Sequence, residues 1–235
     1  MKRAALVVVG LACAVLAAGA TRAGATNECR GLMVCVRVVG PWVVVPTRSG
    51  VPRRRVEFQL SCPRRFLVGG LDAELSDPAI DIAFYGKVGS PVAPGITTSR
   101  TAVFVATFVG SSRRSVTFRP HLGCVPANGA GGRIPTSAVV VPPGQPTVRR
   151  VRTLRVRPGR TRYLAAGCAS AERLVAGSHA VGFWTARPPA ARLVAAVAAR
   201  QRLARGHVVV SARGSFALGR VRAIVQVSAI CAGGK

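Results

Sequence analysis

The stretch SCPRRFLVGG, Ser61–Gly70, decides the fold because the chain repeats it. A looser version, GCASAERLVAG, occupies Gly167–Gly177, and both place Leu-Val-x-Gly shortly after a cysteine, with four intervening residues in the first copy and five in the second. A second cysteine follows at nearly the same distance, with Cys124 lying 62 residues after Cys62 and Cys231 lying 63 residues after Cys168. The repeat predicts two copies of one module.

The bounds of these copies follow from a second match, between WVVVP at 42–46 and AVVVP at 138–142. Together, the two matches predict a first β-module at 41–125 and a second at 137–235. Proline and glycine between the copies predict a linker at 126–136.

Alternation of apolar and polar residues dominates both copies and predicts antiparallel strands. RVEFQLS at 55–61 places Val56, Phe58 and Leu60 on one face. The runs TAVFVATFVG and SVTFRPHL around SSRR predict a hairpin, and RTLRVR and RTRYLAAG predict two strands around Pro158-Gly159 that form a second hairpin. The expected fold is all-β, with two tandem antiparallel sandwich-like or barrel-like modules.

One segment departs from the strand pattern. PPAARLVAAVAARQRLARG at 188–206 begins with proline, ends with glycine and contains strong helix formers, which predicts a short helix near 190–205. Repeat symmetry favours a strand or loop instead. An immunoglobulin fold is disfavoured because Cys231 lies too close to the chain end for a following strand.

The cysteines indicate a disulfide framework. With Cys13 in the leader set aside, six remain, and an even number in an exported chain favours disulfides. The repeat predicts Cys62–Cys124 and Cys168–Cys231, one in each module. Cys29–Cys35 then closes a small loop in an N-terminal segment at 26–40. Zinc is disfavoured because no C-x-x-C pair occurs and histidines are few.

SCPRRFLVGG, together with SAICAGG near the end of the second copy, resembles repeat modules of secreted bacterial proteins. Those modules open with Cys-Pro-Ala-Gly, continue to a Gly-Gly-Gly turn and close with an Ala-x-Cys strand. This chain has Arg64-Arg65 in place of Ala-Gly, and its first copy ends in HLGC. The resemblance implies an extracellular location and β-structure, and it implies no reaction.

The first residues predict export. Lys2 and Arg3 precede an apolar run at 4–18, and Ala23-Gly24-Ala25 fits a cleavage site, so residues 1–25 form the expected signal peptide. Cleavage after Ala20, an uncleaved anchor and a lipoprotein modified at Cys13 are the alternatives. We expect no membrane-spanning segment after cleavage. The sequence leaves the oligomeric state open.

The charge of the chain is strongly basic. The 34 basic residues less Lys2, Arg3 and Arg22 leave 31 against 7 acidic residues, a net charge of +24. Six of the seven acidic residues precede residue 126. This imbalance implies attraction to anionic envelope polymers, anionic surfaces or extracellular nucleic acid.

Arginines concentrate at the start of the second copy, and five of them form the candidate anion-binding site, because guanidinium groups bind phosphates and carboxylates bidentately. We call these five residues the arginine set: Arg152, Arg155, Arg157, Arg160 and Arg162. Tyr163 is the one aromatic residue nearby, which argues against base-specific recognition of nucleic acid. A solvated, purely solubilising face is the alternative.

The acidic stretch LDAELSDPAID offers a calcium site as a weaker candidate, through oxygen ligands from Asp72, Glu74, Asp77 and Asp81. The expected function is a non-enzymatic, exported binding or structural protein without a cofactor. The alternative is a secreted hydrolase or an enzyme inhibitor, with its site at residues 72–81 or in the insertion at 185–206.

Overall fold

The computed structural model describes residues 26–47, 54–85, 100–111, 115–127 and 147–233. The predicted signal peptide, most of the linker and the AVVVP run lie outside the described residues. The fold is all-β, as predicted. The strands preceding the linker are β1 (Val36–Val39), β2 (Trp42–Val45), β3 (Arg55–Ser61), β4 (Phe66–Leu75), β5 (Ile80–Tyr85), β6 (Thr101–Phe108) and β7 (Val116–Pro126).

Among the described residues, six further strands follow the linker, with a five-residue helix between the third and fourth of them. Neither this helix nor the 3-10 turn at Phe216–Leu218 has the length and apolar character that crossing a membrane requires, which holds for the described residues. The elements are β8 (Thr147–Val156), β9 (Thr161–Gly167), β10 (Glu172–Trp184), α1 (Ala191–Ala195), β11 (Val197–Ala204), β12 (His207–Gly214) and β13 (Arg222–Gly233).

A seven-stranded antiparallel sheet forms the middle layer. β4 pairs with one edge of β7, and β1 and β2 pair with the other edge. Phe118 of β7, for example, has Leu75 of β4 as its partner on one side and Val43 of β2 on the other. The sheet then continues through β10 and β13 to β8. β2 pairs with β10 at Trp42–Phe183 and Val43–Gly182, so strands from both halves of the chain form one continuous sheet.

Two three-stranded sheets cover opposite faces of this middle layer: β3–β6–β5 on one face and β11–β12–β9 on the other. Val43 and Val45 of β2 belong to the first core, whereas Val44 packs against the second. β13 alternates in the same way, with Ile224 in the first core and Val225 in the second. The alternation predicted strands with one buried face. In the middle sheet, alternate residues of one strand instead pack into two different cores.

The strand pairing repeats between the two halves. In the first, β7 pairs with β2 and β4, and β6 pairs with β3 and β5. In the second, β13 pairs with β8 and β10, and β12 pairs with β9 and β11. Even a register shift recurs, after Val68 in β4 and after Leu174 in β10.

The three disulfides are the predicted ones: Cys29–Cys35, Cys62–Cys124 and Cys168–Cys231. In both long bridges, the first cysteine directly follows the strand (β3 or β9) that leads into the repeated stretch. The second lies in the last strand of the half, β7 or β13. The Cα–Cα distances of 5.8 Å and 5.6 Å suit a disulfide.

The helix predicted near 190–205 is limited to α1, and the rest of that segment forms β11. Along β11 half-buried Val197, Ala199 and Gln201 alternate with exposed residues, and the whole strand pairs with β12. Arg205 and Gly206 both have positive φ, which is typical of a tight two-residue hairpin turn. Packing on the second core therefore outweighs helix propensity.

The two predicted hairpins are wrong. β6 and β7 enter different sheets, and so do β8 and β9. The cause is that consecutive strands bury their apolar faces on the same core from opposite sides. Leu154 and Val156 of β8 and Ala166 of β9 all belong to the second core. Such strands face each other across the core rather than lying side by side.

The N-terminal segment packs on the outer face of the β4–β7 pair. The carbonyl oxygen of Glu28 lies so close to Gly70 and Gly123 that a Cβ atom at either position would overlap it. These paired glycines allow the segment that carries the Cys29–Cys35 loop to lie flat on the sheet.

Candidate functional site

The arginine set lies at the corner where the chain passes from the middle sheet to the outer sheet of the second half. Arg152 and Arg155 are in β8, Arg157 and Arg160 are in the turn, and Arg162 is in β9. All five side chains are exposed. The structure thus places the set on one rim of the molecule, although not on one hairpin.

The set does not form a single row. In β8, Leu154 and Val156 are buried, as predicted, and Arg155 is exposed between them. Arg155 pairs with Ile224 and therefore points to the face that carries the first core, whereas Arg152 pairs with Val227 and points to the opposite face. The arginines therefore surround the edge of the sheet.

A cleft of about 610 Å³ opens between β8 and β9, and Arg152 is the member of the arginine set that lines it. Arg152 spans it, because its Nη1 donates a hydrogen bond of 3.2 Å to the carbonyl oxygen of Ala165. The lining residues are Val148, Arg149, Arg150, Val151, Arg152, Ala165, Ala166, Gly167, Cys168 and His207.

Two of the three arginines in the cleft are neutralised by carboxylates. Arg149 Nη1 lies 2.6 Å from Glu57 Oε2 and also donates to Ser228. Arg150 binds Glu172 with two hydrogen bonds of 2.6 Å and 3.0 Å. The hydrogen bonds from Arg150 and from the Ala169 N–H lower the pKa of Glu172, and Glu172 raises the pKa of Arg150.

The arginine set itself has no such neutralisation. Across the described part of the chain, no ion pair joins any of its five members to a carboxylate. Exposed guanidinium groups without carboxylate partners attract anions, and their donors remain available for bidentate contacts.

The four acidic candidates for calcium are not gathered into one site. Asp72 accepts a hydrogen bond from the backbone N–H of Asn27, and Asp77 from that of Ala79. Glu74 Oε1 lies 3.0 Å from His121 Nε2, and Asp81 is exposed in β5. Within the described ranges no three of these carboxylates approach one another to ligand spacing.

One group does have metal-ligand spacing, namely Cys168, Glu172 and Cys231. The two cysteines form a disulfide, so they offer no thiolate, and Glu172 is occupied by Arg150. The alternative enzyme sites gain no support either. Glycoside hydrolysis needs two carboxylates that face each other across a cleft. The insertion at 185–206 contains no acidic residue and cannot supply them.

Sequence reasoning missed a buried polar cluster under the N-terminal segment. Glu28 is 1 % exposed, with its Oε1 lying 3.1 Å from Arg37 Nε and 3.7 Å from His121 Nδ1. Glu74 contacts the other nitrogen of the same histidine. His121 is buried in this cluster, which therefore has a structural role. No local pattern in the sequence links these residues, because only the fold brings them together.

The comparisons add no relative: no protein-family model, curated protein or solved structure matches this chain.

Proposed function

We propose that this chain is an exported, non-enzymatic binding or structural protein that contacts anionic polymers or surfaces of the cell envelope or extracellular space. The observation that carries the proposal is the arginine set, five exposed guanidinium groups around one corner without carboxylate partners among the described residues. The carboxylates that contact β8, Glu57 and Glu172, are paired with other arginines, Arg149 and Arg150.

Three disulfides fit a protein outside the cytoplasm, because such bonds form and persist in oxidising compartments. The predicted signal peptide and the resemblance to secreted repeat modules agree with this location. The repeated strand pairing supports a duplicated module as the scaffold that presents the arginines.

Salt dependence of binding tests the proposal. The purified chain from Thr26 onward is titrated with heparin over a range of salt concentrations. Each neutralised anionic group on a flexible polymer contributes about −0.7 to the slope of log affinity against log salt. Replacing Arg157, Arg160 and Arg162 with glutamine should therefore flatten the slope by about two units.

The matched control replaces Arg192, Arg200 and Arg202 with glutamine. These arginines are exposed in α1 and β11, so the net charge changes equally at a different surface. Equal flattening in both triple variants would show that attraction depends on total charge alone, and the proposed site would then be wrong.

A further inference from the structure

The first half of the molecule has a strand edge that the second half covers. β10 pairs with the edge of β2 at Trp42 and Val43, and it also packs near β3. The side-chain amide of Gln226 accepts from Gln59 N at 2.6 Å and donates to Gln59 O at 2.9 Å. The second half of the chain thus bonds both edges that flank the space between β2 and β3, through β10 on the edge of β2 and through the Gln226 side chain on the edge of β3.

The same edge exists in the second half, on β8. Val43 pairs with Phe118, and Leu154 pairs with Val225. Phe118 and Val225 each precede the disulfide cysteine of their strand by six residues. Thr153–Leu154 is therefore the counterpart of Trp42–Val43 by register, in place of the AVVVP run that the sequence match suggested. The cleft between β8 and β9 is the counterpart of the space that β10 enters.

This second edge has no strand partner among the residues that the structure describes, because β8 is the last strand of the middle sheet and pairs only with β13. An unpaired edge presents a row of backbone N–H and C=O groups that an extended chain can complete.

A second copy of this chain cannot repeat the internal contact. In that contact, Ser178 and Ser228 on the outer face of β10 and β13 lie beside Glu57 of β3 and its partner Arg149. The counterparts of these serines in the first half, by the repeated register, are Asp72 and His121. Asn27 and Glu28 of the N-terminal segment already cover both.

The charge of the cleft selects the partner instead. Arg152 spans the opening, and Arg155 is exposed on the other face of the same strand; neither has a carboxylate partner in the described part of the chain. An added strand that carries aspartate or glutamate would place carboxylates next to them, since diagonal neighbours across strands interact.

We propose that the free edge of β8 accepts an extended acidic segment of a partner polypeptide as an additional β-strand, with its carboxylates at Arg152 and Arg155. The inference goes beyond the proposed function, because it requires backbone pairing and not only attraction between charges.

The probe is a fluorescein-labelled octapeptide, Val-Glu-Glu-Val-Val-Glu-Glu-Val, which as a strand presents glutamates on both faces, as the opposite orientations of Arg152 and Arg155 require. Its affinity is measured by fluorescence anisotropy, and the bound segment is located by hydrogen exchange. We expect slower exchange in Thr147–Val156, because added backbone bonds protect the amides of β8. A fully N-methylated peptide has the same charge but no N–H donors, and should bind about ten-fold more weakly or worse.

Variants separate the edge from bulk charge. Arg152→Glu should weaken the octapeptide by about ten-fold, whereas Arg202→Glu, an equal change of charge on β11, should change it less than about three-fold. Equal binding of the N-methylated peptide would overturn strand addition and leave the proposed function standing. Protection of β8 by concentration-dependent self-association without peptide would overturn the choice of partner.

Discussion

At the residue scale, the tightest constraint is the approach of the Glu28 carbonyl to Gly70 and Gly123. We predict that Gly70→Ala destabilises the protein by about 2–3 kcal/mol, because the added methyl group meets backbone that cannot rotate away. Urea unfolding measures the change. Gly69→Ala is the control, since its methyl group would meet the Val125 side chain at 2.7 Å and should cost less. Equal costs would contradict the packing described for the N-terminal segment.

A second prediction at this scale concerns Glu172. Its pKa is lowered in the folded protein, so its ionised form adds stability above the unfolded value of about 4.3. This contribution is lost as the pH falls through the lower folded value. Wild type should therefore exceed Glu172→Gln in stability at pH 7 by more than it does at acid pH.

Arg150→Gln tests the cause of that behaviour, because the hydrogen bonds from Arg150 are the main reason for the lowered pKa of Glu172. Chemical denaturation at several pH values should show a weaker acid dependence in this variant as well. A gap between wild type and Glu172→Gln that stays constant from neutral to acid pH would argue against the Arg150–Glu172 pair.

At the element scale, the sequence located strands better than it located their partners. β3 has the predicted bounds, because its alternation matches one buried face. The opposite face was misjudged: Glu57 is 8 % exposed, since a later part of the chain covers it. The predicted hairpins were wrong for a similar reason, because contacts between distant parts of the chain decide which strands pair. Some neighbours in the chain, such as β8 and β9, lie in opposite layers, whereas others, such as β11 and β12, pair, and alternation alone does not distinguish the two cases.

The contact between β3 and β8 gives a prediction for these elements. Arg149→Gln leaves Glu57 buried with the exposed Arg55, 3.5 Å away, as its remaining ion-pair partner, and should destabilise the protein by about 2–3 kcal/mol. The double variant Glu57→Gln/Arg149→Gln should recover part of that loss, because no unpaired charge remains. Thermal or urea unfolding of the four proteins measures the coupling. Additive losses would mean that the pair contributes nothing specific.

At the scale of the whole molecule, the repeat predicted the disulfides, but it predicted neither which strands pair nor how the halves meet. The candidate site shows the same division. Its arginines were found from composition, whereas the cleft arises only when β8 and β9 face each other, and Arg149 and Arg150 meet their carboxylate partners on β3 and β10. Contacts over long sequence distances leave no local signature.

The shared middle sheet leads to the last prediction, that the halves unfold together. Ala180 and Ile224 of the second half lie in the first core, and Val44 of the first half packs against the second. Val225→Ala in the second core removes two buried methyl groups and should cost about 2 kcal/mol. Hydrogen exchange in β6, which lies entirely in the first half, should accelerate by about thirty-fold if its amides exchange through global unfolding. Leu203→Ala, at an exposed position of β11, is the control and should leave β6 unchanged. If Val225→Ala accelerates exchange only in β8–β13, the halves are independent modules, and the continuous sheet does not couple them.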